Sequence, residues 1–184
     1  MSALPATPFW FLRHGETDWN AQNLSQGNVD IPLNATGIAQ AHRAAERLQN
    51  RGIRHIVASP LSRATDTARI VAASLGLEVH LEEGLREVAF GEKEGHPMAD
   101  WFATWVDGSY TPEGAEPFAA LRLRAAAAIN RALANPAPVL VVAHGALFRA
   151  LRAEMGLPPN VRTPNATPFW CEPAGPSWQL SEAS

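Results

Sequence analysis

Two apolar runs, far apart in the chain, end in the same dipeptide, and they constrain the fold more than any other feature. The first run is FWFLR at residues 9–13, followed by His14 and Gly15, and the second is PVLVVA at residues 138–143, followed by His144 and Gly145. A short, near-continuous apolar run is typical of a strand buried on both faces of a parallel sheet. Gly15 removes a side chain that would crowd His14 and permits unusual backbone torsions. Each run therefore predicts a strand that delivers an imidazole to the edge of a sheet.

Segments with helical periodicity separate the strand-like runs. Apolar residues recur at helical spacing at residues 34–50, 62–75, 96–106, 117–134 and 146–154, with Asn34 and Ser62 as capping residues of the first two helices. Further strands are predicted at residues 53–58, 77–81, 168–171 and 177–180, and a loop at 82–95. The alternation predicts an α/β fold of three layers, α/β/α, with a mostly parallel central sheet. We expect residues 1–184 to form a single domain.

Composition excludes several classes of protein. The formal net charge is −3 with both signs spread along 184 residues, whereas a general nucleic-acid binder is usually strongly basic. Cys171 is the single cysteine, so an intrachain disulfide is excluded and a cytoplasmic location is favoured. The opening MSALPATP has neither a basic start nor a long apolar run, and it predicts no signal peptide or membrane anchor. We expect no nucleic-acid partner and no membrane association.

Polar residues at the strand ends point to an anion site. Ligands of parallel sheets bind at the carboxyl ends of the strands, and the residues at or just beyond those ends are Arg13, His14, Ser59, Arg63 and His144. Guanidinium groups match phosphate oxygens and stay charged at any working pH. A metal site is the natural competitor, because histidines and carboxylates are also present. Two nearby arginines oppose a cation, and no H-x-x-x-H spacing occurs. The residues favour a phosphate ester over a metal.

Five ordered motifs give the chain a family resemblance. They are RHGET at 13–17, NATG at 34–37, SPLSRATDTA at 59–68, LREVAFGEKEG at 85–95 and VVAHG at 141–145. Together they resemble the histidine phosphatase superfamily, also called the phosphoglycerate mutase-like family. The resemblance covers residues 9–151, and each motif alone is weak whereas the ordered set is specific.

The resemblance implies a role for each residue. His14 would be the nucleophile that becomes a phosphohistidine, Glu87 the proton donor to the leaving alcohol, and the clamp on the phosphoryl oxygens would be Arg13, Arg63 and His144. It implies that the substrate-binding residues are Asn20, Gln26, Gly27 and Glu116. It also implies catalysis without a metal or cofactor, on a small-molecule phosphate ester.

The segment after Glu87 bears on the branch of the family. Mutases of the superfamily resemble one another in a long insertion with an E-R-H-Y run, but here Glu87 is followed by Val88, Ala89 and Phe90, and the insertion is short. A mutase must keep water out during turnover, whereas a phosphatase must admit it. We therefore expect a small phosphatase that hydrolyses a phosphomonoester. Phosphoglycerate mutase activity and a noncatalytic protein that binds phosphorylated ligands are the alternatives.

Overall fold

The computed structural model of the chain describes residues 4–184. Six strands form one sheet in the order β3-β2-β4-β1-β5-β6. Their bounds are β1 (Phe9–Arg13), β2 (His55–Ala58), β3 (Val79–Leu81), β4 (Val139–Ala143), β5 (Pro168–Ala174) and β6 (Ser177–Glu182). Strands β1 to β4 pair in parallel, and β5 and β6 extend the sheet as an antiparallel hairpin beside β1. The expectation of a mostly parallel sheet is confirmed.

Helices connect the parallel strands. Their bounds are α1 (Asp18–Ala21), α2 (Ala35–Leu48), α3 (Ser62–Leu75), α4 (Trp101–Asp107), α5 (Phe118–Ala132) and α6 (Gly145–Glu154). Two short 3₁₀ segments, Glu83–Leu85 and Gly91–Lys93, lie in the loop at residues 82–95. Within the described residues, no helix combines the length and the apolar character needed to cross a bilayer.

Alternate side chains of the central strands pack into two separate cores. Phe9 and Phe11 of β1 face the cluster formed with α4, α5 and α6, whereas Trp10 and Leu12 face the cluster formed with α2 and α3. All five residues of β4 are buried, as its apolar run predicts. Burial of each large apolar side chain contributes about 1.5–3 kcal/mol, so the sheet is held between two apolar layers. The three-layer α/β/α arrangement is confirmed.

The apolar stripe of α5 and the cap of α2 follow the sequence pattern. All five stripe residues are buried, namely Leu121, Ala125, Ala128, Ile129 and Ala132, and the Asn34 side chain accepts a hydrogen bond from the backbone N–H of Gly37. The cap expected at Ser62 is wrong. Helix α3 begins one residue earlier than a cap at Ser62 would allow, because Leu61 is its N-cap, and the Asp30 side chain accepts from the Ser62 N–H.

Candidate active site

The ends of β1 and β4 bring two histidines together. Arg13 of β1 lies opposite Ala143 of β4, and the His14 N–H donates to the Ala143 carbonyl over 3.0 Å. The rings of His14 and His144 have centroids 5.3 Å apart and an interplanar angle of 57°. The two strand ends therefore meet at the carboxyl edge of the parallel strands, as the parallel pairing predicts.

His14 is held in the tautomer that a nucleophile requires. Its Nδ1 lies 2.7 Å from the Gly15 carbonyl, and a carbonyl can only accept, so Nδ1 carries the proton and Nε2 keeps its lone pair. Burial, reinforced by the charges of Arg63 and Arg13, lowers the pKa of His14 well below its usual value. The imidazole is therefore neutral near pH 7, and Nε2 can attack an electrophile.

Gly15 is required by close approach. A Cβ at this position would collide with the Gly37 carbonyl oxygen at the start of α2. Gly15 is not among the described glycines with positive φ, so the turn uses its small size and not its conformational freedom. The Gly15 N–H donates to Thr67 Oγ1 over 3.0 Å. The turn that presents His14 is thus packed tightly against α2 and bonded to α3.

Two buried arginines flank His14. The Nη1 of Arg13 donates to the Thr163 carbonyl, and the Nη1 and Nη2 of Arg63 donate to the carbonyls of Val29 and Gly27, each over 2.7 Å. The Nε atoms of Arg13 and Arg63 are buried without a partner. Burial lowers the pKa of both arginines to about 10, so both stay charged at neutral pH.

His144 is bonded through one ring nitrogen and has the other without a partner. Its Nε2 lies 2.7 Å from Ser59 Oγ, which also accepts from the Leu61 N–H. The Nδ1 of the same ring is buried without a partner. Burial and the charge of Arg63 lower the pKa of His144 well below its usual value, so the imidazole is neutral near pH 7.

Glu87 joins its loop to the first turn of α6. Its Oε1 accepts from the N–H groups of Val88 and Leu147, and its Oε2 accepts from the Ala146 N–H, each over 3.0 Å. Free N–H groups at a helix N-terminus favour a negative charge. Oε2 has the smaller number of partners and is the oxygen with a lone pair available for a proton.

These residues open onto one cavity of about 370 Å³, a volume suited to a small molecule. The expected site residues that line it are Arg13, His14, Asn20, Gln26, Gly27, Arg63 and Glu87. His144 does not line the cavity. Apolar side chains also line the cavity, namely Leu24, Phe90, Met98, Phe102 and Ala103.

Three expected binding residues have clear structural partners. Gln26 accepts a hydrogen bond from Thr17 Oγ1, and Asn20 Oδ1 accepts from Asn165 Nδ2. Glu116 is not brought to the cavity. Both of its carboxylate oxygens pair with Arg124, over 2.7 and 2.9 Å, and Arg124 also donates to the carbonyls of Gly84 and Arg86. Glu116 thus supports the loop that carries Glu87.

Two cationic cavity residues were missed by the sequence reasoning. Arg149 of α6 and Arg162 of the loop at residues 155–167 both line the cavity, together with Asn160. The helical position of Arg149, one turn after Gly145, could have indicated it, whereas Arg162 lies in a segment with no periodic pattern. Within the described part of the chain, no group of three or more His, Cys, Asp or Glu side chains could hold a metal ion.

Comparisons with known proteins identify a family and a shared fold. The sequence model of the histidine phosphatase superfamily (branch 1) matches residues 9–177. A probable phosphoglycerate mutase GpmB from Yersinia enterocolitica is 40% identical over 164 residues, which cover 82% of this chain and 76% of that protein.

Two solved phosphatases have the same fold. The structure of mycobacterial glucosyl-3-phosphoglycerate phosphatase with VO3 is similar at a TM-score of 0.83 and 30% identity, and covers 97% of this chain and 98% of that one. A variant of phosphoserine phosphatase from Entamoeba histolytica, in complex with phosphoserine, is similar at a TM-score of 0.82 and 26% identity, with 96% of both chains covered.

Proposed function

The chain belongs to the histidine phosphatase superfamily, and from that premise we propose that it is a metal-independent phosphomonoesterase that acts through a phosphohistidine on His14. The proposed substrate is a small-molecule phosphate ester. One observation carries the proposal. Of the four buried side-chain atoms without a partner in residues 4–184, three belong to Arg13, Arg63 and His144, which surround His14.

Unpartnered buried donors are costly, at about 1–3 kcal/mol each. Two such donors, the Nε groups of Arg13 and Arg63, belong to side chains that line the cavity with the neutral imidazole of His14, and they favour an anion with several acceptor oxygens. A phosphoryl group has such oxygens, and its transfer depends mainly on positioning and on stabilisation of the equatorial charge. Guanidinium groups supply that charge, which supports a reaction without a metal.

The proposed reaction has two steps. In the first, His14 Nε2 attacks phosphorus, the N–P bond forms, the bond from phosphorus to the alcohol oxygen breaks, and Glu87 gives its proton to that oxygen. In the second, Glu87 takes a proton from water, the water oxygen bonds to phosphorus, the N–P bond breaks, and inorganic phosphate leaves. His14 and Glu87 return to their starting states, so atoms and protons balance.

The proposal also covers organisation and location. We propose that residues 1–184 form one domain, supported by the single sheet with a helical layer on each face. We propose a cytoplasmic location, supported by the buried, free thiol of Cys171. Residues 1–3 of the opening segment, on which the expected lack of a signal peptide also depends, lie outside the described residues.

Trapping of the covalent intermediate tests the function. Rapid acid-free quenching of the protein with a ³²P-labelled phosphate ester, in the presence of a chelator, should leave an acid-labile label on the protein. The label should be absent in His14→Ala and present in His42→Ala, a matched control because His42 is exposed on α2 and does not line the cavity. Full hydrolysis by His14→Ala, or loss of activity with the chelator, would overturn the proposal.

Phosphoglycerate mutase activity is a second candidate, favoured by the names of the relatives that are 40% identical. Incubation with 3-phosphoglycerate and a trace of 2,3-bisphosphoglycerate separates the two reactions. A mutase yields 2-phosphoglycerate faster than inorganic phosphate, whereas the proposed phosphatase yields inorganic phosphate.

A further inference from the structure

We propose that Arg149 and Arg162 form a second anion subsite, which binds an acidic group on the alcohol part of the substrate. The proposal rests on the proposed function and extends it. The preferred substrates would be phosphate esters of alcohols that also bear a carboxylate or a second phosphate. Three features of the cavity lead to this conclusion. They are the positions of the two guanidinium groups, the contacts that hold them without a carboxylate partner, and their charge.

The position of Arg149 follows from the geometry of α6. Gly145, the first residue of α6, lies against the Arg13 guanidinium, because a Cβ at Gly145 would be 3.0 Å from Arg13 Nε. Arg149 is four residues later and therefore on the same face, about 6 Å further along the helix axis. The Glu87 carboxylate is bonded to the first turn of the same helix. Arg149 thus lies beyond the phosphate clamp, on the side of the proposed proton donor and leaving alcohol.

Arg149 is fixed in place without a carboxylate partner. Its Nε donates to Asn160 Oδ1 over 3.2 Å, and its guanidinium carbon lies 4.7 Å from the centroid of the Phe102 ring. These contacts use Nε and one face of the group. Among residues 4–184, Arg149 and Arg162 form no ion pair with a carboxylate. The terminal nitrogens of Arg149 are therefore oriented and available, which suits bidentate binding of a carboxylate or phosphate.

The loop that carries Arg162 is tied to the catalytic cluster. The Thr163 carbonyl accepts from Arg13 Nη1 over 2.7 Å, and the Asn165 side chain donates to the His14 carbonyl over 3.0 Å. Arg162 lies next to the first of these anchors and lines the same cavity as Arg149. The two guanidinium groups come from separate elements, α6 and the loop at residues 155–167, that meet at this rim.

Several cations lie close together around this cavity. The charges of Arg162 and Arg149 both lower the pKa of Arg13, whereas the charges that lower the pKa of His14 are those of Arg63 and Arg13. Like charges repel, so a cavity with adjacent cations and few carboxylates is poised for an anion. The cavity-lining carboxylates are Glu87, which is occupied by three N–H groups, and the exposed Asp100.

Matched pairs of substrates test the subsite. O-phosphoserine and O-phosphoethanolamine differ by one carboxylate, as do 3-phosphoglycerate and glycerol 3-phosphate. A diol monophosphate and the corresponding bisphosphate report on a second phosphate. We expect the wild type to favour the more acidic member of at least one pair by about tenfold to hundredfold in kcat/KM. The pair that shows the preference identifies the acidic group.

Substitution assigns the preference to the two arginines. In Arg149→Met and Arg162→Met the ratio of kcat/KM within the preferred pair should fall toward one, whereas general damage would lower both members equally. Arg122→Met is the control, because Arg122 lies on α5 and pairs with Glu154 outside the cavity, and it should keep the wild-type ratio. A wild-type ratio near one in every pair, or a ratio that survives both substitutions, overturns the subsite.

Binding to His14→Ala separates this proposal from the proposed function. Calorimetric Kd values for O-phosphoserine and O-phosphoethanolamine require no turnover, so the ratio of the two Kd values reports the subsite even if no phosphohistidine forms. A phosphohistidine trapped on a wild type without any preference would overturn the subsite alone.

Discussion

Replacement of Glu87 by glutamine separates its two functions in the structure. The carboxylate accepts three backbone N–H groups, from Val88, Ala146 and Leu147. An amide nitrogen cannot accept, so Glu87→Gln loses at least one hydrogen bond to a charged group and the favourable charge at the start of α6. Together these amount to about 2–4 kcal/mol of unfolding free energy.

The kinetic effect of the same variant depends on the leaving group. Glutamine has no proton to give, and a positioned general acid contributes about 10²–10⁴ in rate, which corresponds to about 3–5 kcal/mol of barrier. An alkyl phosphate, whose alkoxide needs that proton, should form phosphoenzyme slower by this factor. The 4-nitrophenolate ion leaves unassisted, so 4-nitrophenyl phosphate should slow by less than about tenfold.

Rapid-quench measurement of phosphoenzyme formation checks the prediction with both esters. Glu116→Gln is the matched control, because the Glu116 carboxylate pairs with Arg124 and does not line the cavity. That variant should have a lower free energy of unfolding. Its rate of phosphoenzyme formation should change by the same factor with both esters. An equal loss with the two esters in Glu87→Gln would refute the role of Glu87 as the acid.

Other predictions concern stability. Since burial lowers the pKa of His14 and His144 well below 6.5, the unfolded state binds more protons below that pH. The free energy of unfolding should fall with decreasing pH, by up to about 1.4 kcal/mol per pH unit for each imidazole. Urea titrations at several pH values should show a weaker dependence of this free energy on pH in a variant that lacks both imidazoles. Gly15→Ala should lower stability by at least about 2 kcal/mol, because its Cβ meets the Gly37 carbonyl; an unchanged urea midpoint contradicts this. Arg124→Met removes two bonds to loop carbonyls and should lower Tm by several degrees, about 2 kcal/mol in stability; a Tm within one degree of the wild type would be inconsistent with it.

The strand ends were predictable because parallel pairing is a strong constraint. Once residues 9–13 and 139–143 are parallel strands, His14 and His144 must meet at one edge, and their ring centroids are 5.3 Å apart. The burial of β4 and the stripe of α5 follow from periodicity in the same way.

The residues that the sequence reasoning missed or assigned wrongly are those whose roles depend on tertiary contacts. Glu116 carries the same charge whether it faces a ligand or an arginine, and only the fold shows that Arg124 is its partner. Arg162 lies in a loop without a period, so no local pattern indicates that the Arg13–Thr163 bond brings it to the cavity. Ser62 is a good capping residue by type, but Asp30, more than thirty positions earlier, accepts its N–H.

The bond from Arg13 to the Thr163 carbonyl has a consequence for attempts to redesign this protein. The loop at residues 155–167, which would select among alcohols, also fixes the Arg13 guanidinium beside the attacking imidazole. A foreign loop grafted between α6 and β5 would displace the Arg13 guanidinium unless it supplies a carbonyl at the position of Thr163. A new substrate selectivity and an intact reaction must therefore be engineered together.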